Sequence, residues 1–409
     1  MKHSPAWQKA LIPSSILAVG LLIGLPLLNA LGVLSDYYLN LFGKYLALAI
    51  LALGMDLIWG YAGILSLGQA IFFGCGAYAM GMYLMLESSG QGVYGERIPD
   101  FMVWNRVTTL PLFWKPFQYF PLAVLLALSI PAVAACIFGL LTFRRRVSGT
   151  YFAILTQAMA FATWLMCNRN EMNLGGTNGL TDFKSLFGVS LNTPSTLRIL
   201  YLVTALCLVG SFMACKWLVG SKMGLVLTAM RDQEPRLRFL GYPIAQYKIF
   251  IFALAAALAG LSGALYAPQV GIITPSQIGV LPSLEVVVWV ATGGRGTLIG
   301  ALLGAVGINA ARSLLTAYYP EWWPIILGGL FVGVVILFPD GLVGIPNQLR
   351  QRLRRTRAPL FERSVPDSVP SPATASAEGA QFNVPPFPAT ASAEGRQLNG
   401  GPSPSGRGL

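Results

Sequence analysis

The sequence predicts an all-α integral membrane protein, a polytopic bundle of about ten transmembrane helices, and three observations carry that prediction. The 409-residue chain is 55% hydrophobic and only 11% charged, too little charge for the surface of a soluble domain of this length. Apolar stretches near or above ~18 residues recur, each long enough to cross a hydrocarbon layer of ~30 Å. Long runs such as FPLAVLLALSIPAVAACIFGLLTF (120–143) lack the alternation of barrel strands, so helices must satisfy the backbone in lipid.

The expected spans are 11–34, 39–59, 67–86, 119–143, 150–167, 197–219, 248–268, 283–294, 297–316 and 323–338. The first run is longer than a typical signal-peptide core of ~7–15 residues and lacks a clean A-x-A site, so it reads as a retained helix. The eighth is a half-span or begins earlier: about twelve helical residues reach only ~18 Å.

The net charge of +12 follows from topology rather than from a nucleic-acid partner. With the N-terminus inside, RRR (144–146), the opening loop and RQRLRRTR (350–357) all face the cytoplasm. The loops 87–118 and 168–196 then lie outside, and an even number of spans leaves both termini cytoplasmic. The single histidine, His3, sits near the terminus, and Cys75, Cys136, Cys167, Cys207 and Cys215 show no C-x-x-C spacing. All five read as packing residues and no metal site is expected.

Residues 1–346 read as one transmembrane domain, 347–365 as a basic cytoplasmic segment, and 366–409 as a disordered tail rich in Pro, Ser, Ala and Gly. PATASAEG occurs at 372–379 and again at 388–395. Two copies without apolar periodicity cannot build a repeat fold.

Small residues four apart in GALLG (300–304), GLFVG (329–333) and AALAGLSGALY (256–266) allow close helix approach. GGRGTLIG (293–300) lacks the Lys-Ser/Thr that phosphate and Mg²⁺ require, so the chain has no ATPase site, no catalytic residues and no cofactor of its own. Polar groups at membrane depth are costly and so are candidates for function. Asp56, Ser66, Gln69, Glu285 and Arg312 are such groups; Ser66, Gln69, Glu285 and Arg312 are the candidate lining of a solute path.

The densest charge lies in TAMRDQEPRLRFLGYPIAQYK (228–248). Its signs alternate, unlike a polybasic lipid anchor. Met230, Leu237 and Leu240 are spaced to share one face of a short helix. Pro235 suits a first helical turn, with Asp232 or Glu234 at its positive end, and Gly241 suits its stop. A capped, mixed-charge helix beside apolar spans suits docking onto another protein.

GLVLTAMRDQEPRLRFLGYPIAQYKIFIFALAAALAGLSGALY (224–266) resembles the cytoplasmic coupling segment and following helix of ABC importer permeases. The nearest group is the permease family for branched-chain amino acids and urea. DLIWGYAGILSLGQAIFFGCGAYAMGMYLM (56–85), GGTNGLTDF (175–183) and VVWVATGGRGTLIGALLGA (287–305) extend the likeness over roughly 36–346. GVYGERIPDFMVWNRVTTLPLFW (92–114) is similar to the extended outer loop of the urea branch. The family commonly has His where this chain has Gln69, and the looser EAA…G consensus survives only as Ala229, Glu234 and Gly241.

The resemblance implies a permease subunit paired in the membrane with a second, different one. Two cytoplasmic ABC ATPase subunits using ATP and Mg²⁺, and an external solute-binding protein, complete the implied assembly. Urea, or a short-chain amide, is the implied substrate, with a branched-chain amino acid as the alternative. The coupling loop then spans about 220–247, with Ala229, Arg231, Asp232, Glu234, Arg236, Arg238 and Gly241 as its working residues. A passive small-solute channel is the alternative of another class, and it would need no docking loop.

Overall fold

The computed structural model describes residues 20–89, 98–107, 109–147, 149–337 and 341. The start of the first expected span, the 347–365 segment and the repeat tail lie outside the described residues.

A π-helical turn, Gly20–Gly24, leads into α1 (Leu25–Ala30). Next, α2 (Asp36–Met55) runs on through a π-helical stretch, Asp56–Tyr61. Residues 62–68 break the helical path before α3 (Gln69–Glu87). The short α4 (Asp100–Trp104) precedes α5 (Phe120–Phe143) and α6 (Thr150–Cys167). Three two-residue strands follow: β1 (Leu180–Thr181), β2 (Ser185–Leu186) and β3 (Val189–Ser190). After them come α7 (Pro194–Gly220), α8 (Lys222–Phe239) and α9 (Ile244–Val270). A last strand, β4 (Ile272–Ile273), then gives way to α10 (Val280–Gly293), α11 (Leu298–Tyr318) and α12 (Trp323–Leu337).

Among the described residues, seven segments are long and apolar enough to cross a membrane: α2 with its extension, α3, α5, α6, α7, α9 and α11. These match seven of the expected spans within a few residues. Shorter apolar helices stand at the eighth and tenth expected positions, α10 with 14 residues and α12 with 15. At 1.5 Å per residue α10 spans about 21 Å, the short crossing that its sequence implies.

At the centre, α9 packs against α2, α3 and α5, while α2 also meets α7 and α11. The apolar window is 83% buried in α2 and in α3, but only 22% in α5. A helix apolar all round is buried or spans a membrane; α2 and α3 lie in the core of the bundle, and α5 leaves most of its apolar surface at the periphery. The α3–α9 contact is close enough that backbones touch. A Cβ on Gly76 would fall on the Gly260 carbonyl, and one on Gly263 would fall on the Phe73 carbonyl. The small residues of 256–266 therefore do the packing work that their spacing implies.

At one end of α9, β4 pairs antiparallel with β1, Ile273 opposite Leu180, tying two loops together. A separate hairpin pairs β2 with β3. At the other end of α9, some 40 Å away by its 27 residues, sits α8.

Candidate functional site

The expected coupling segment is one helix with a break. Ser221 caps α8, its Oγ accepting from the Met223 N–H at 3.2 Å. Pro235 has no N–H to return to the Arg231 carbonyl, and the helix breaks two residues earlier, at Gln233 (φ −149°, ψ 71°). The exit is a Schellman turn: Gly241 takes φ +81°, its N–H donates to Arg238 O, and the Tyr242 N–H donates to Leu237 O. Gly241 thus stops the helix as its sequence position implies. Leu227, Met230 and Leu237 face inward. Leu240 does not: it is 74% exposed. The expected face treated it as helical, yet it lies just past the last helical residue, where the chain turns away.

Arg231 reaches back into the bundle. Its Nη1 donates to Gly60 O at 2.7 Å, and its Nε donates to Asp232 Oδ1 at 2.9 Å. Its stem lies so close to Gly63 that a Cβ there would meet its Cγ at 2.8 Å. Gly60 belongs to the π-helical stretch after α2, whose Asp56 is fully buried. Asp56 Oδ1 accepts from the Gly296 N–H at 2.7 Å. In the same loop, Arg295 donates from Nε to Trp59 O at 3.2 Å and stacks 4.8 Å from the Trp59 ring centre. Burial, then the nearby Arg231 cation, lower the Arg295 pKa, while Asp56 opposes that shift. One junction therefore joins α8, the end of α2 and the α10–α11 loop.

Glu234 forms a second anchor. It bridges Arg238 at 2.9 Å and Lys248 of α9 at 2.8 Å, and the Lys248 side chain is only 9% exposed. The remaining expected residues, Ala229, Asp232, Arg236, Arg238 and Gly241, stay on the exposed side, with Phe239 93% exposed beside them. Arg144 and Arg146 border a cavity of about 420 Å³ with Glu234, Arg238 and Tyr242. The 144–146 cluster and α8 thus share one end of the bundle.

The four expected path residues fall into two places. Ser66 and Gln69 are fully buried at the break before α3. There the Leu67 N–H donates to Thr156 Oγ1 at 3.0 Å and the Ala70 N–H to Ser283 Oγ at 3.3 Å. Neither side-chain amide atom of Gln69 has a hydrogen-bond partner among the described residues. Glu285 and Arg312 instead pair across α10 and α11 at 2.6 Å. They border a cavity of about 430 Å³ whose lining also includes Lys44, Asn309, Leu48 and Trp289. Ser283, which accepts from Ala70, lies on α10 only two residues from Glu285.

The family model described as "Branched-chain amino acid transport system / permease component" matches residues 37–335. The chain belongs to this family. It is similar to the high-affinity branched-chain amino acid transport system permease protein LivM of Salmonella typhimurium, 28% identical over 316 residues, covering 72% of this chain and 67% of that one. A probable LivM of Methanocaldococcus jannaschii is 26% identical over 322 residues, covering 74% and 91%. The autoinducer 2 import system permease LsrC of Yersinia pseudotuberculosis is 30% identical over 242 residues, covering 54% and 66%. No solved structure matches the chain.

The chain is therefore an ABC importer permease, a multi-pass membrane protein and a transport subunit rather than an enzyme. Within this permease, sequence reasoning missed Lys44, Trp59 and Arg295. Lys44 sits eight residues into α2, where an isolated cation in an apolar span was itself a signal. Trp59 and Arg295 carried none, because only the fold brings positions 236 residues apart into contact.

Proposed function

We propose that this permease translocates branched-chain amino acids inward, in a complex with a second permease subunit, two cytoplasmic ABC ATPases and an external solute-binding protein. The carrying observation is the division of labour in α8. Arg231 and Glu234 are bound to the chain's own bundle, while Asp232, Arg236, Arg238 and Phe239 are left facing away from it. Such a helix has one face for a partner and one for transmitting the partner's movement. ATP-driven closure of the ATPases pushes the outer face, and the Arg231 junction passes the push to α2 and the α10–α11 loop. ATP and Mg²⁺ stay with the partner subunits.

The amino-acid substrate is favoured over urea because the relatives matching over two thirds of the chain are branched-chain amino acid permeases by name. Urea is the second reading, resting on the likeness of 92–114 to an extended outer loop; residues 92–97 and 108 of that stretch lie outside the described residues. Proteoliposomes holding the assembled complex and its binding protein decide between them. ATP-dependent leucine uptake is expected. Urea uptake without leucine uptake overturns the substrate, and uptake that ignores ATP overturns the importer.

In this reading the end bearing α8 and 144–146 is cytoplasmic, as are both termini. In a background without the native cysteines, Ser89→Cys should react with an impermeant maleimide from outside and Arg236→Cys only from inside. Labelling of both from one face overturns the orientation.

A further inference from the structure

We infer that the cavity between α2, α10 and α11 is a transit site for a solute carrying a carboxylate, held by Lys44. This deepens the amino-acid reading above and rests on it. Two cations, Lys44 and Arg312, border the cavity against one carboxylate, Glu285. Glu285 is already matched, 2.6 Å from Arg312 and 5% exposed. Lys44 has no carboxylate within ion-pair distance among the described residues; its ammonium lies 5.8 Å from the Tyr266 ring centre. A cation within an apolar span is costly unless something completes it.

The cavity supplies the rest of an amino acid's complement. Its volume of about 430 Å³ falls within the usual ~300–1,000 Å³ of small-molecule sites. Leu48, Leu51, Phe73 and Trp289 supply an apolar wall of the same cavity. A zwitterion places its carboxylate on Lys44, its ammonium beside Glu285, and a branched side chain on that wall. Urea is neutral and offers Lys44 no charge to pair with.

The test uses right-side-out vesicles carrying the full importer with Thr316→Cys at the cavity border, the native cysteines replaced. Leucine at millimolar concentration should slow maleimide labelling at least threefold, while leucinamide, which lacks the carboxylate, and urea should not. Lys44→Gln should remove the protection and Lys44→Arg should keep it. Equal protection by leucine and leucinamide overturns the proposal, as does full protection in Lys44→Gln. Should Lys44→Gln fail to reach the membrane, the comparison of leucine with leucinamide on the Lys44 protein still decides. The same vesicles separate the two readings. Leucine uptake without leucine protection sinks only the transit site, whereas urea uptake without leucine uptake sinks the amino-acid function itself.

Discussion

Gly76→Val is expected to remove most of the folded permease from the membrane. The valine Cβ would fall on the Gly260 carbonyl, a backbone atom that no side-chain rotation moves aside. Overpacking ordinarily costs ~1–3 kcal/mol, but that range assumes neighbours that can yield. Here α3 and α9 must separate along a contact that Gly263 and Phe73 also hold, so the loss spreads down the helix pair. These two helices form much of the bundle's centre. Fluorescence-detected size-exclusion of the solubilised chain should show at least a fivefold smaller monodisperse peak. Gly210→Val on α7 is the control, since a Cβ there meets nothing within 4 Å. Equal peaks for the two variants would mean that the α3–α9 approach is not needed for folding.

The second large effect is on coupling. Arg231→Ala should cut ATP-driven uptake ten- to a hundredfold while the complex still assembles and hydrolyses ATP. The substitution removes the charge-assisted bond to Gly60 O and the stem against Gly63. Hydrogen bonds to charged groups are worth about 1.5–3 kcal/mol, and each ~1.4 kcal/mol is tenfold. Exchanging Arg231 with Asp232 should do at least as much, since a carboxylate would then face the Gly60 carbonyl. Uptake and hydrolysis are measured together in proteoliposomes. Parallel loss of both would place Arg231 in ATPase docking alone, and unchanged uptake would remove it from the coupling path.

Several features were legible because they depend on near neighbours in the chain. Span lengths, the short α10, the capping role of Gly241 and the small-residue spacing of 256–266 are all set by adjacent residues. Which charges of 228–248 turn inward was not legible. Arg231 and Asp232 are adjacent and both charged, yet Arg231 meets a carbonyl 171 positions away. Asp56 stood out in the sequence as a polar group at membrane depth, but its partner Gly296 is 240 positions distant. No periodicity specifies which helices become neighbours across such distances. The split of the four path residues has the same origin. Glu285 lies near the start of α10 and Arg312 near the end of α11, and they meet because the two helices run antiparallel.

The break at Gln233 makes α8 a bent lever with unequal arms. Phe239 lies six residues beyond the break and Arg231 two before it, arms of about 9 Å and 3 Å at 1.5 Å per residue. Because Pro235 cannot restore the missing hydrogen bond, the bend does not anneal into a straight rod. In the proposed coupling, with the break as pivot, a stroke of about 3 Å at the Phe239 end would arrive at Arg231 as about 1 Å, with the force multiplied by about three. That trade suits its load. What Arg231 grips is a tightly packed helix end, which yields little distance and takes considerable force to shift. Pro235→Ala offers the counter-experiment: a straightened α8 would lose the fulcrum, and the ATPases would turn over without moving the bundle.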